Sequence, residues 1–232
     1  MSKQEQLNTD IKIGGLLKFS TLDYPGKLSA VIFCQGCPNN CVYCHNPEFI
    51  PFKKYSAISF SEVKGFLEGR KGLLDAVVFS GGEPLMQKGL RNAIEEISSL
   101  GFKIGLHTSG ANPKRFKEIL HLVDWVGFDI KSTFDSYEEI TQNSDSGMLA
   151  RLSLVLLLEA GTDFEIRLTV DSRYLRFIKI LNIAKMLRNF GIVKLVLQEC
   201  ILRDQNNLHI KFLNLYEIHE LEKIINIEIR KQ

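Results

Sequence analysis

LSAVIFCQGCPNNCVYC, Leu28 to Cys44, sets a short apolar run directly before four of the chain's five cysteines. LSAVIF has the length and β-branched content of a buried strand, and five further runs repeat it: about 74–79 (LDAVVF), 102–106 (FKIGL), 124–130 (DWVGFDI), 164–170 (FEIRLTV) and 193–198 (VKLVLQ). Between and after them, about 59–70, 87–100, 112–121, 146–160, 174–190 and 213–225 read as amphipathic helices. Strand-then-helix units of this kind form parallel sheets, either open or curled into a partial barrel, and both place ligands at the C-terminal strand ends. The residues just after the six runs are CQGC, SGGEP, HTSG, KST, DSR and EC. A site built from small, polar and thiol residues is expected there.

The bulk numbers narrow the class. With 232 residues, 45% hydrophobic and 24% charged, and no Pro/Gly/Ser-rich linker, the chain reads as one domain over 1–232, with 1–27 as an N-terminal extension or hairpin. A net charge of +2 without a basic block gives no reason to expect nucleic acid or anionic lipid as the main partner. MSKQEQLNTDIKIGG lacks the apolar stretch of a signal peptide, and no run approaches the ~18 apolar residues of a membrane span, so a cytoplasmic location is expected. The first ten residues carry an expectation of disorder. A disulfide framework is not expected in a reducing compartment, and the cysteines need another role.

Three readings compete for Cys34, Cys37, Cys41 and Cys44. A zinc site of all four is disfavoured because only Pro38, Asn39 and Asn40 separate the two pairs, against a dozen or more residues in zinc ribbons. A ferredoxin-type cluster is disfavoured because the order C-x2-C-x3-C-x2-C departs from the bacterial ferredoxin run. In the third reading Cys37, Cys41 and Cys44 hold three irons of a [4Fe–4S] cluster and leave the fourth open, while Cys34 shares a strand face with Ala30 and Ile32 as a small buried hydrophobe.

CPNNCVYC resembles the C-x3-C-x-aromatic-C signature of the radical S-adenosylmethionine enzymes, with Tyr43 as the aromatic, and SGGEP (Ser80 to Pro84) is similar to a second element of that family. The resemblance implies a partial (β/α)6 TIM-like barrel with outer helices. It also implies a [4Fe–4S] cluster on Cys37, Cys41 and Cys44, whose open iron is chelated by S-adenosylmethionine and whose electron releases a 5′-deoxyadenosyl radical. In that scheme Gly81 and Gly82 bind the methionyl ammonium, Glu83 adds a carboxylate suited to a cation, and Tyr43 contacts the adenine. Ser109 in HTSG bonds to the cofactor; Lys131 in FDIK meets the methionyl carboxylate, with Asp129 orienting it. His107 stands where related activating enzymes commonly carry an acid, and it reads as a structural residue. Arg167 reads as an inward-facing contact, Gln198 as a weaker one, and Cys200 as a buried thiol.

GGLLKFSTLDYPGKLSAVIFCQGCPNNCVYCHNPE, Gly14 to Glu48, resembles the opening of glycyl-radical-enzyme activating proteins, above all activators of anaerobic ribonucleoside-triphosphate reductase. The implied substrate is a glycine Cα–H in a loop of that partner, and the implied electron donor is a flavodoxin or ferredoxin. Two other functions stay open: a radical S-adenosylmethionine enzyme acting on a small molecule, such as a 7-carboxy-7-deazaguanine synthase-like enzyme, and a non-catalytic metal-binding module.

Overall fold

The structure, a computed structural model, describes residues 11–53, 55, 57–200 and 212–230; the expectation of disorder over the first ten residues lies outside them. Along the chain come β1 (Ile13–Ser20), β2 (Ser29–Cys34), α1 (Phe60–Glu68), β3 (Ala76–Gly81), α2 (Leu90–Ser99), β4 (Lys103–Thr108), α3 (Pro113–Ile119), β5 (Trp125–Ile130), α4 (Glu138–Thr141), α5 (Ser146–Ala160), β6 (Asp163–Val170), α6 (Phe177–Asn189), β7 (Lys194–Glu199), α7 (Leu215–Glu222) and β8 (Asn226–Arg230). Helix starts follow local chemistry. Ser59 and Glu62 form a capping box on α1, Asn112 caps α3 ahead of Pro113, and Asn214 with Glu217 caps α7.

All eight strands join one sheet in chain order. β1 runs antiparallel to β2, and every later pair is parallel. Right-handed crossovers that always advance in one direction put all the helices on one side of the sheet, and the twisted sheet curls away from them. The result is a partial barrel, left open between β1 and β8. Two-residue alternation sorts the strand side chains accordingly. Ala30, Ile32, Val77, Phe79, Val126 and Phe128 join helix residues such as Leu67, Ile97 and Leu154 in the main core. Their neighbours Val31, Ala76, Val78 and Trp125 meet Tyr24 inside the barrel.

The six expected strands appear within two residues of their expected starts, as β2 to β7, and the sheet is wider than expected by one strand at each edge. β1 is the N-terminal hairpin arm. β8 was not anticipated: the expected helix 213–225 is shorter, ending at Glu222, and NIEIR then forms a strand that pairs with β7 from Lys194↔Asn226 to Gln198↔Arg230. Five residues of alternating Ile with Asn, Glu and Arg are too few to outweigh the helical pattern before them.

Candidate active site

A cavity of about 580 Å³ opens at the C-terminal strand ends, within the ~300–1,000 Å³ range of sites that enclose a small ligand. Cys37, Cys41, Cys44, Tyr43, Gly81, Gly82, Glu83, Ser109, Asp129 and Lys131 all line it, so the structure brings every expected site residue to one place. Leu17 of β1 and Arg230 of β8 line the same cavity, which therefore reaches both edges of the sheet.

The cysteine loop leaves the end of β2 with no regular structure, and main-chain bonds to distant segments fix it. Gly36 N–H donates to the Phe49 carbonyl (2.8 Å), Cys37 N–H to Ile50 (3.0 Å), Asn40 N–H to Thr141 (2.8 Å) and Val42 N–H to Ile140 (3.0 Å). Cys34 is wholly buried in the main core, whereas Cys37, Cys41 and Cys44 are partly exposed on the cavity. Burial, and then the Glu83 charge, push the Cys37 thiol up to about 12; burial also raises Cys41. Metal loading would expel those protons, since only thiolates ligate.

The SGGEP turn locks onto this loop. Gly82 N–H donates to the Cys34 carbonyl (2.8 Å) and Glu83 N–H to the Gly36 carbonyl (2.9 Å). Both glycines are required. Gly81 has φ +104° and a side chain there would meet the Cys34 main-chain nitrogen at 2.5 Å; one on Gly82 would meet the Gly36 carbonyl oxygen at 2.6 Å.

Glu83 sits differently from the expectation of an oxygen offered to a ligand cation. Its carboxylate is 1% exposed and accepts four bonds: from Leu85 N–H (3.1 Å), Thr108 Oγ1 (2.6 Å), Ser109 N–H (2.9 Å) and Ser109 Oγ (2.7 Å). Burial raises its pKa, and those donors pull it back. Glu83 thus struts the β3 turn against the β4 turn, its carboxyl group held within the cavity wall. Ser109 Oγ is spent on the same strut and also accepts from Asn39 Nδ2 (3.4 Å).

Across the cavity Asp129 receives Arg167 Nε at 2.8 Å and Lys131 Nζ at 3.3 Å. Burial alone would raise the Asp129 carboxyl, but Arg167 and then Lys131 outweigh it and hold it below the usual range. For Lys131 burial works downward, and the charges of Asp129 and Cys41 overcome it. The three side chains carry a net charge of +1, which suits an anionic group beside the cysteines. Lys131 Nζ also lies 6.0 Å from the centre of the Tyr43 ring.

His107 is a structural tie on the same inner face. Its Nε2 lies 2.8 Å from the Asp23 carbonyl oxygen, which can only accept, so Nε2 carries the proton and Nδ1 accepts from Ser80 Oγ at 3.2 Å. Burial, then repulsion from Arg167, lower its pKa to about 3, and the ring is neutral at physiological pH. Its edge meets Trp125, so the tie joins the TLDYPG turn to the barrel interior.

The sequence reading passed over Asp23, Asn39, Thr169 and Arg230, all of which line the cavity. Thr169 was legible by alternation, since Ile166, Leu168 and Val170 face the helices and Arg167 and Thr169 face inward. Arg230 was hidden with its strand.

The donor set fits a thiolate-held cluster and its nucleotide ligand. Three thiols and a cationic pair line the one cavity, and the Tyr43 hydroxyl is buried with no hydrogen-bond partner among the described residues. Such an orphaned donor costs ~1–3 kcal/mol unless a ligand takes it up. Among the described residues no three His, Cys, Asp or Glu gather as a single metal ion would require. A cluster that takes one thiolate per iron has no need of that convergence.

The comparisons agree with this geometry. A protein described as a candidate glycyl-radical enzyme activating enzyme from Methanocaldococcus jannaschii is 36% identical over 141 residues, which is 58% of this chain and 56% of that one. A pyruvate formate-lyase-activating enzyme from Clostridium pasteurianum is 30% identical over 197 residues, covering 80% of this chain and 81% of its own. Streptococcus suis SuiB, solved bound to S-adenosylmethionine, shares the fold at a TM-score of 0.62 and 15% identity, over 85% of this chain and 48% of SuiB. The chain thus spans about half the length of the archaeal relative and of SuiB. The family model described as the radical SAM superfamily matches residues 31–161. That span, from β2 through α5, takes in the cysteine loop and the strand ends of β3, β4 and β5, and on it the chain belongs to the radical SAM superfamily.

Proposed function

We propose that the chain installs a glycyl radical on a partner protein, and that the partner is an anaerobic ribonucleoside-triphosphate reductase. The observation that carries the reading is the open side of the barrel. β1 and β8 end the sheet, residues of both line the cavity, and a polypeptide loop can enter sideways where a closed ring would exclude it. The clostridial relative, matched over 80% of this chain, supports the same class of activity, and the TLDYPG and HNPE segments flanking the cysteine run support the reductase as partner.

Cys37, Cys41 and Cys44 would hold the [4Fe–4S] cluster, and the Asp129–Lys131–Arg167 group would receive the carboxylate of S-adenosylmethionine. Bound together, cluster and nucleotide supply one-electron cleavage of a sulfonium and a carbon radical that removes a hydrogen atom. The chain's own residues orient and enclose. Gly81 and Gly82 bring the β3 turn against the cysteine loop, Glu83 braces that turn, and Asp129 fixes the direction of Lys131. Tyr43 offers its unpaired hydroxyl and ring face to the nucleotide. A flavodoxin or ferredoxin would deliver the electron. No helix among the described residues is long and apolar enough to cross a membrane.

The test is anaerobic incubation of the reconstituted protein with S-adenosylmethionine, a reductant and the reductase, followed by electron paramagnetic resonance. A glycyl doublet is expected. Nucleotide cleavage without a doublet from this or any other glycyl radical enzyme would favour a small-molecule substrate instead.

A further inference from the structure

Two buried amide side chains stand where the cysteine loop leaves and rejoins the fold: Gln35, 3% exposed, and Gln87, 5% exposed. Gln35 closes the stem of the loop. Its Nε2 spends both protons on the carbonyls of Glu48 (3.1 Å) and Pro51 (2.7 Å), beside the rungs from Gly36 to Phe49 and from Cys37 to Ile50. Gln87 ends the short helical turn Pro84–Met86 that follows Glu83. Its Nε2 donates to the Gln35 carbonyl (2.7 Å), and its Oε1 accepts from Lys12 N–H (2.8 Å). We propose that Gln35 and Gln87 are positioning residues that fix the three thiols against the SGGEP turn, and with them the cluster against its nucleotide. The inference rests on Cys37, Cys41 and Cys44 as the cluster ligands and is independent of the partner protein.

A carboxamide presents a donor and an acceptor side by side, as a peptide unit does. Gln87 therefore continues the pairing of the β1 and β2 segments by one rung: Gln35 N–H bonds directly to the Lys12 carbonyl (2.8 Å), and the next exchange between these two residues passes through the Gln87 side chain. Gly82 N–H and Glu83 N–H already hold the carbonyls of Cys34 and Gly36. Three successive carbonyls at the mouth of the loop, those of Cys34, Gln35 and Gly36, are thus all bonded from the segment Gly82 to Gln87. These amide bonds end on main-chain groups, of Lys12, Gln35, Glu48 and Pro51, so they set the path of the backbone. Burial makes the clasp selective, because a displaced loop would leave each amide unpaired away from water. Removing a clasp lowers the fraction of molecules whose loop is in place, and the apparent affinity for the nucleotide falls with that fraction.

The test compares wild type with Gln35→Met and Gln87→Met, which keep the side-chain length but not the bonds, and with Ile183→Val, a core truncation on α6, between β6 and β7. Anaerobic reconstitution should load all of them with iron and sulfide alike, since the three thiols remain. The Kd for S-adenosylmethionine, read by equilibrium dialysis of the unreduced holoprotein, should rise about five-fold in each Met variant and stay within about two-fold in Ile183→Val. In the metal-free proteins, hydrogen exchange over residues 36–50 should quicken about five-fold in the Met variants and hold at the wild-type rate in Ile183→Val. Nucleotide affinity within about two-fold of wild type in both Met variants, or an equal loss in Ile183→Val, would overturn the proposal. Should a Met variant fail to load iron, the metal-free exchange decides alone, and unchanged protection over 36–50 overturns it. Wild type that takes up no iron would remove the cluster reading and this inference together; wild type that loads and binds the nucleotide, with both Met variants its equal, would remove this inference alone.

Discussion

Replacing Gly82 by alanine tests the lock between the two motifs. The added carbon would lie 2.6 Å from the Gly36 carbonyl oxygen and 2.7 Å from that of Phe49, and both atoms belong to main chain that flanks the cysteine loop. Relief to an ordinary C···O contact near 3.3 Å requires a shift of about 0.7 Å. The loop cannot give locally, because Gly36 N–H and Cys37 N–H are bonded to Phe49 and Ile50, so the strain moves the cysteine-bearing backbone itself. Overpacking of this kind costs about 1–3 kcal/mol, and misplacement approaching 1 Å at a reacting centre costs up to about 100-fold in rate. Gly82→Ala should therefore retain its three cluster thiols and bind iron, yet cleave S-adenosylmethionine some tens of times more slowly than wild type. Iron and labile sulfide content, followed by 5′-deoxyadenosine formation under dithionite, separates the two effects. Gly65→Ala, at a site with nothing within 4 Å on α1, is the control and should be neutral or slightly stabilising. Gly82→Ala cleaving the nucleotide within three-fold of wild type would refute the argument that this glycine exists for close approach.

Three further outcomes are expected. Cys37→Ala, Cys41→Ala and Cys44→Ala should each abolish the visible cluster absorbance after anaerobic reconstitution, whereas Cys34→Ala should keep it and lose only about 1 kcal/mol of packing, read by urea unfolding. Tyr43→Phe removes a buried hydroxyl that has no partner, so the nucleotide-free protein should unfold at equal or higher urea while its Kd for S-adenosylmethionine rises several-fold; unchanged nucleotide affinity would show that the hydroxyl serves nothing. His107 has a folded pKa of about 3, below its unfolded value near 6.5, so its contribution is complete above pH 6.5 and is lost as pH falls toward 3. Between pH 7.5 and 5 the wild type should lose about 2 kcal/mol more than His107→Gln, a variant that cannot titrate there; equal losses by urea unfolding at the two pH values would contradict the buried neutral ring.

The contiguous parts of the site were readable because their spacing is local. Cys37, Cys41 and Cys44 fall within eight residues, and SGGEP follows a strand whose apolar run marks its own end. What escaped depends on partners far along the chain. Glu83 looked like an oxygen for a ligand, and only the fold shows its acceptor positions filled from Thr108 and Ser109, 25 and 26 residues away. Asp129 was expected to steer Lys131 alone, but parallel pairing of β5 with β6 sets it opposite Arg167, and it holds both. The inward face of β8 was illegible for another reason: a strand at a sheet edge needs only one partner and one covered face, so a five-residue segment with Glu228 and Arg230 turned inward can pair without a strong apolar signature.

The unbroken strand order also has a temporal meaning. Each strand adds beside the one made just before it, so the sheet can lengthen from its amino-terminal edge while translation continues. The thiols after β2 are presented early, when the opposite rim of the bowl, carried by β6 to β8, has yet to be synthesised. A cluster offered to them at that stage would meet a wider approach than the finished cup leaves.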